Sequence, residues 1–166
     1  MSHQSQRDRE VFLRDQNDWV DWLIYIEGRA ASLNIRDKMN PDMPDIVFLA
    51  RPTLPEKPKL SEYDRRTELH VATRPSHLTP EGLAEFEEEM AFYEEQMASY
   101  EKSGGDLGFK QDCRDYENEQ EAIHHMTELI QSTVAEQFQR ICCLPGLDLK
   151  QWMANLRLWF ETLVHY

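Results

Sequence analysis

The densest group of prolines in the chain lies between residues 41 and 58. Five of the chain's eight prolines are there, at positions 41, 44, 52, 55 and 58. A proline lacks a backbone N–H and fixes φ, so neither a helix interior nor a central strand can pass through this stretch. The spacing predicts an extended, proline-rich linker over 41–78, with a weakly indicated short helix over 61–71. The apolar residues 46–49 are expected to form a short strand or a strap across a helix.

Apolar residues at helical spacing lie on both sides of the linker. Steps of three and four residues predict a first helix and its turn over 17–40, and further helices within 79–166. The sequence thus indicates an all-α fold, a small helical bundle of about four main helices with a proline-rich extended linker after the first. Residues 1–16 are expected to form an N-terminal arm. The last helix is apolar and ends without a polar tail, which is typical of a truncated domain.

Local signals mark where the later helices begin. Thr79 can cap the next helix, with a proline in its first turn. A glycine-containing loop over 103–118 is expected to follow that helix, and a long helix is expected from about residue 115 to 142. Asp148 and Gln151 form a capping box for the last helix.

Large apolar residues share one face of the first helix and one face of the last, where the stripe continues to Leu163. We interpret Trp19 and Trp22 as core anchors rather than as direct partner contacts. In the last helix we expect Trp159 and Phe160 to be exposed as part of a contact surface. The predicted core or interface anchors are Trp19, Trp22, Ile26, Trp152, Leu156, Trp159 and Phe160.

The helix after the linker has an uninterrupted a/d pattern. Its apolar positions are Leu83, Phe86, Met90, Tyr93, Met97 and Tyr100. This spacing predicts a helix-pairing seam, shorter than the roughly three to four heptads of a free-standing coiled coil. Eight glutamates surround it with no Lys or Arg before Lys102, so charge repulsion disfavours pairing of this helix with a second copy. We expect the seam to pack against another helix of the same chain.

The chain is acidic, with 31 Asp and Glu against 18 Lys and Arg and a formal net charge of −13. Such a surface repels a phosphate backbone, which argues against direct strong nucleic-acid binding. Residues 51–74 are the only mildly positive stretch, and RNA contact there is an open alternative. No apolar run reaches the roughly 20 residues of a membrane helix, so we expect no membrane partner and a cytoplasmic location. The three cysteines are too few for a disulfide framework.

Side chains for catalysis or metal binding are sparse. Glu121 and His124 have the i, i+3 spacing of carboxylate-bridged metal sites in helical bundles, but the sequence holds no second Glu-x-x-His. We therefore interpret them as a solvated pair and predict no metal ligands. The glycines at 104–108 match neither a phosphate-binding nor a dinucleotide-binding loop. No catalytic or cofactor-binding residue and no cofactor are predicted, so we do not expect an enzyme.

Residues 13–41 resemble the opening of Gag polyproteins from copia-type LTR retrotransposons, particularly fungal ones. That family begins its capsid-like region with an Asn-Trp or Asp-Trp pair, a second Trp three residues on, and a helix leading to an Asn-Pro turn. The matching residues are Asn17, Trp19, Trp22, Leu33, Asn40 and Pro41. The prolines at 52, 55 and 58, the Tyr-Glu-containing helix and residues 144–157 are also similar, so the resemblance covers roughly 13–158.

The resemblance implies an all-helical capsid-like domain that self-associates into a particle shell around the element's RNA, without catalysis. In that family RNA binding belongs to a basic tail or a zinc knuckle further downstream. Arg36 departs from the pattern, since the family often has an aromatic residue there, and residues 103–118 look like an insertion.

Three functions are therefore considered. The first is a Gag-like structural protein of a retrotransposon, or a remnant of one, whose partners are further copies of itself or a longer Gag product. The second is a monomeric helical interaction module, a domesticated or truncated fragment that binds a partner helix through the seam. The third and least favoured is a metal-dependent helical-bundle enzyme that uses Glu121 and His124.

Overall fold

The computed structural model describes residues 10–162, and for Thr162 it describes the backbone alone. Most of the predicted N-terminal arm and Leu163 lie outside these residues. The described chain is all-α and contains no β-strand, as predicted. Its six α-helices are α1 (Trp19–Ser32), α2 (Arg36–Met39), α3 (Pro80–Lys102), α4 (Gly105–Thr133), α5 (Glu136–Cys142) and α6 (Leu149–Thr162). Three short 3-10 turns lie at Gln16–Asp18, Leu60–Glu62 and Pro75–His77.

Side-chain caps begin α3 and α6 where the sequence predicts them. The Thr79 hydroxyl accepts the backbone N–H of Gly82 at 3.1 Å and opens α3. Before α6, the Asp148 carboxylate accepts the backbone N–H of Gln151 at 2.8 Å, and the Gln151 amide oxygen accepts that of Asp148 at 2.9 Å. These bonds satisfy N–H groups that have no partner inside a helix. At the other end of α1, Asn34 takes a φ of 60° and stops the helix.

The predicted loop over 103–118 is wrong, and the predicted helix over 115–142 is helical but divided into two helices. The loop is reduced to a turn at Gly104, where φ is 111°, and α4 begins immediately afterwards. The helix then breaks at residues 134 and 135. The break arises because the N-terminal segment pairs with the backbone there: Leu13 donates to the carbonyl of Thr133 at 2.7 Å, and Ala135 donates to the carbonyl of Leu13 at 2.9 Å.

The chain forms two compact units. Unit 1 comprises Met1–Ala50 and Tyr116–Tyr166, and unit 2 comprises Arg51–Asp115. The predicted division into 17–40, 41–78 and 79–166 differs from this one. Residues 41–50 belong to unit 1, whereas residues 51–78 form one unit with α3 and the beginning of α4.

The core of unit 1 is formed by α1, α2, α4, α5 and α6. Its largest fully buried side chains include Trp22, Phe160 and Leu13. The segment after α2, residues 41–50, lies against this core, and we call it the strap. Its Phe48 packs against the buried cluster. The Leu49 backbone N–H donates to Glu119 of α4 at 2.6 Å. Residues 46–49 therefore form the strap across a helix that the sequence predicts, rather than a strand.

The core of unit 2 is small. Its buried apolar residues are Ala72, Leu78 and Phe86, surrounded by half-buried side chains from the proline-rich segment and from α3. Instead of the weakly indicated helix over 61–71, the structure has the single turn at Leu60–Glu62. The segment folds back on itself because Thr79 donates its backbone N–H to the carbonyl of Asp64 at 2.9 Å.

Candidate functional site

The two tryptophans of α1 lie inside the core of unit 1. Trp22 is fully buried, and its indole Nε1 donates to the hydroxyl of Thr133 at 3.0 Å. Trp19 stacks on Trp22 and on Phe160 of α6, whose ring centroid lies 5.3 Å away with the planes inclined by 10°. The satisfied indole N–H allows complete burial, and the stack joins α1 to α6. Both residues therefore act as core anchors, as does the fully buried Ile26 of the same helix.

The last helix divides its aromatic residues between the core and the surface. Trp152 is buried and donates its indole N–H to the carbonyl of Leu144 at 3.0 Å, and Leu156 is fully buried. Trp159 is 40% exposed, although its ring lies 6.1 Å from that of Phe138. Phe160, which the sequence predicts to be exposed, is buried, so that prediction is wrong. Successive residues lie about 100° apart around a helix, so the ring of Phe160 is directed into the core although its neighbour Trp159 faces the surface.

Apolar side chains are exposed on α5, on α6 and in the turn that joins them. They are Ile141, Leu144, Leu158 and Trp159, which we call the α5–α6 surface, and each is at least 40% exposed. The two helices are held together at this point because the Asn155 side chain donates to the carbonyl of Cys142 at 3.1 Å. A group of exposed apolar residues of this kind is typical of a protein contact site.

A cleft in unit 1 lies among α1, α2 and α6. Its floor is apolar, and its volume is about 120 Å³. The arginines on its rim are already paired: Arg157 makes two hydrogen bonds of 2.7 Å with Asp42, and Arg36 lies 3.6 Å from Glu27. The lining contains carboxylates and guanidinium groups but no Ser, Thr, Cys, His or Lys. A space of this size holds a few water molecules or one side chain.

The predicted seam of α3 is covered by residues of unit 2. Phe86 is buried against the Tyr63 ring, 5.4 Å away in an edge-to-face arrangement, and the other five seam residues are half-buried. Leu83 and Met90 pack on the same small core. Tyr100 hydrogen-bonds to Asp106 of α4 through its hydroxyl, which raises the pKa of that tyrosine. The seam therefore packs mainly on the proline-rich segment, rather than on a second long helix.

The structure does not assemble the residues considered for metal binding. His124 lies 3.1 Å from Glu128, one turn along α4, and both side chains are exposed, as is Glu121. Within residues 10–162 no group of three or more His, Cys, Asp or Glu could hold a metal ion. The adjacent thiols of Cys142 and Cys143 are buried, and burial raises the pKa of both, that of Cys143 to about 12.

A buried ion pair in unit 1 went unrecognised in the sequence. The carboxylate of Glu119 is buried on α4, and it accepts hydrogen bonds from the ammonium group of Lys38 and from the backbone of Leu49. Lys150 also holds the strap, since its ammonium group donates to the carbonyls of Met43 and Ile46. The sequence offers one signal for the burial of Glu119, its position on the helix. It lies one turn before residue 123, where the apolar face of the helix begins, and so it shares that face.

No protein-family model matches the chain, and neither a curated protein nor a solved structure matches it. Among the described residues, no helix has both the length and the apolar character needed to cross a membrane. We take the α5–α6 surface, which includes an exposed tryptophan, as the candidate site in unit 1.

Proposed function

We propose that the chain is a Gag-like structural protein that self-associates through the α5–α6 surface. The observation that carries this proposal is the exposure of Leu158, at 70%, and of Trp159 on a helix whose opposite face is buried in the core. Large apolar side chains held at the surface by a rigid helix are stabilised when a second copy covers them.

The resemblance to copia-type Gag proteins supports the same proposal. Its two matching tryptophans, Trp19 and Trp22, are core anchors of unit 1. Asn40 and Pro41 follow α2 at the point where the chain turns into the strap. The residues similar to the family's late segment form the turn before α6 and α6 itself.

The second candidate, a module that binds a partner helix through the α3 seam, has less support. Such a module needs an accessible seam, whereas Leu83, Phe86 and Met90 pack on the core of unit 2. A third function, a metal-dependent enzyme, would need further ligands beside Glu121 and His124, and both of these side chains are exposed on α4.

The test is the mass of the protein in solution, measured by light scattering after size exclusion over a range of concentrations. We expect oligomers that grow with protein concentration, and that grow further with salt because salt screens repulsion between acidic surfaces. The double variant L158Q/W159Q should shift the protein to a monomer of 19.7 kDa.

A matched control removes two exposed apolar residues of unit 1 from another helix. Val20 and Ile24 of α1 are 64% and 65% exposed, so V20Q/I24Q changes surface hydrophobicity to a similar extent. The control should keep the oligomers, and circular dichroism should show unchanged helix content in both variants. A monomer at every concentration, or equal loss of oligomers in both variants, would contradict the proposal.

A further inference from the structure

The outer face of α3, in unit 2, carries an exposed aromatic residue among acidic ones. Residues three, four and seven apart share one face of a helix, so Glu85, Glu88, Phe92 and Glu95 lie in one stripe. This stripe points away from the seam, because the middle of its four positions lies about 150° around the helix from the middle of the seam positions. The seam faces the small core of unit 2, and the stripe faces solvent.

The exposure of Phe92 is unusual for an aromatic ring. Its side chain is 60% exposed and borders a shallow cleft of about 510 Å³. The lining of this cleft consists of Glu85, Glu88, Glu89, Ala91, Phe92 and Glu95. A lone exposed apolar residue needs no explanation, but the charged residues of this cleft are all carboxylates. A second cleft on the other side of Phe92 contains Lys57 beside Glu56, Glu62 and Glu89.

The carboxylates of the stripe are not used inside the described chain. Glu89, at its border, accepts a hydrogen bond from the hydroxyl of Tyr63. Within residues 10–162, the carboxylates of Glu85, Glu88 and Glu95 make no hydrogen bond or ion pair, and α3 contains no Lys or Arg before Lys102. Like charges at i, i+3 and i, i+4 destabilise a helix, so a cationic partner would relieve a repulsion that this chain leaves uncompensated.

We propose that this stripe binds a basic, amphipathic peptide segment of another protein. An apolar side chain of the segment contacts Phe92, and its Lys or Arg side chains pair with Glu85, Glu88 and Glu95. The charge excludes the nearest alternatives: a phosphate backbone is repelled, and the same stripe on a second copy is equally acidic. The proposal concerns unit 2 alone and does not rest on the self-association proposed above.

The probe is a synthetic helical peptide of Leu and Lys, with Leu at i, i+3, i+4 and i+7, labelled for fluorescence anisotropy. We expect saturable binding to the full chain that weakens as ionic strength rises, because screening acts on exposed charge pairs. A second peptide with Glu in place of every Lys keeps the apolar face and should not bind. Equal binding of both peptides would overturn the proposal, since the contact would then not depend on charge.

Two triple variants of α3 localise the site. E85Q/E88Q/E95Q neutralises the stripe and should raise the Kd of the Lys peptide about tenfold. This is the change expected when the small binding energies of three exposed ion pairs are lost together. E87Q/E94Q/E101Q removes the same charge from the other side of the helix, where all three side chains are also exposed. It should change the Kd less than about twofold. Equal weakening by both triples would show attraction to the net charge alone and would overturn the assignment.

The role of the aromatic ring is tested separately. F92S should raise the Kd of the Lys peptide about tenfold, as loss of a central aromatic contact does. The control is L107S, which removes an exposed apolar residue, 77% exposed, from the beginning of α4 in the same unit. A Kd that F92S and L107S change to the same extent would contradict a contact at Phe92. Both residues are exposed, so neither variant should unfold the protein.

Discussion

The two units of this chain are stabilised in different ways. Unit 1 buries a continuous set of large side chains, among them Trp22, Met126 and Leu156, contributed by all five of its helices. The apolar side chains buried in unit 2 are only those of Ala72, Leu78 and Phe86, and its long helix is half-covered by a proline-rich segment. A fully buried large apolar side chain contributes about 1.5–3 kcal/mol, so the two cores differ many-fold in the stabilisation that burial supplies.

The difference indicates where each unit depends on single residues. In unit 1 many contacts share the stabilisation, so large losses require the removal of a large buried group. In unit 2 the fold depends on close backbone contacts, such as the bond from Thr79 to the carbonyl of Asp64. A small steric change at one of these contacts should therefore have a disproportionate effect on unit 2.

The largest effect is expected from removing an aromatic side chain from the core of unit 1. W152A should lower the free energy of unfolding by about 3–5 kcal/mol, because it leaves a cavity and also frees the carbonyl of Leu144. W159A on the same helix removes an identical group that is 40% exposed, and should lower it by less than about 1 kcal/mol. Urea unfolding followed by circular dichroism measures both. Similar losses in the two variants would mean that α6 does not bury the face assigned to it.

The buried ion pair provides the second test, since it is a polar contact within the apolar core of unit 1. K38M should lower the free energy of unfolding by about 2–3 kcal/mol, because it leaves the carboxylate of Glu119 buried without its cation. The double variant K38M/E119L removes both charges and should recover part of that loss. The measurement is a double-mutant cycle by urea unfolding. If K38M alone were as stable as the wild type, the carboxylate of Glu119 would be solvated rather than buried.

Most of the helices could be predicted from the sequence, because apolar spacing and caps are local signals. The caps at Thr79 and Asp148 and the core positions of Trp22 and Trp152 follow from such patterns. The break in the helix at residue 134 could not be predicted, since it depends on pairing with Leu13, more than a hundred residues earlier. Tertiary pairing of this kind overrides a helical pattern that is locally continuous.

The candidate sites were only partly predictable, for a related reason. Spacing places Trp159 and Phe160 next to each other on α6, but which of them is exposed depends on where α1 and α5 lie. The acidic stripe of α3 was visible as a run of glutamates, whereas the exposure of Phe92 follows only once the seam is known to face the core of unit 2.

Two glycines in helices test the contrast between the units by the same substitution. A Cβ added at Gly82 would lie 2.6 Å from the carbonyl oxygen of Asp64, so G82A should destabilise unit 2 by about 1–3 kcal/mol. A Cβ added at Gly28 of α1 would meet nothing within 4 Å, so G28A should stabilise unit 1 by about 0.5–1 kcal/mol. Hydrogen exchange of the α3 and α1 amides measures each change. Changes of the same sign would contradict the close approach of Asp64 to α3.

The smallest effect on stability at neutral pH is expected at the cysteines. Here the two units differ in the reactivity of their thiols rather than in stability. Burial raises the pKa of Cys142, and raises that of Cys143 from 9.0 to about 12, with the neighbouring Cys142 adding to the second rise. Since the thiolate is the reactive form, neither should react with a thiol reagent in the folded protein at pH 8. Cys113, half-buried in unit 2, should react alone, and mass spectrometry after alkylation identifies the modified residue.

The same shift makes stability depend on pH in one direction. A raised pKa in the folded state means that the thiol of Cys143 stays protonated in the fold while it ionises in the unfolded chain. Below pH 9 both states hold the proton and stability is unaffected. Above pH 9 the thiol ionises in the unfolded state alone, which stabilises that state, so the free energy of unfolding should fall progressively between about pH 9 and 12. C143A should flatten that fall, measured as the midpoint of urea unfolding against pH. Two outcomes would contradict this prediction: a pH profile that C143A leaves unchanged, or alkylation of Cys143 at the rate of Cys113 in the folded protein. Either would show that the end of α5 opens to solvent, so that the core of unit 1 is as accessible at Cys143 as unit 2 is at Cys113.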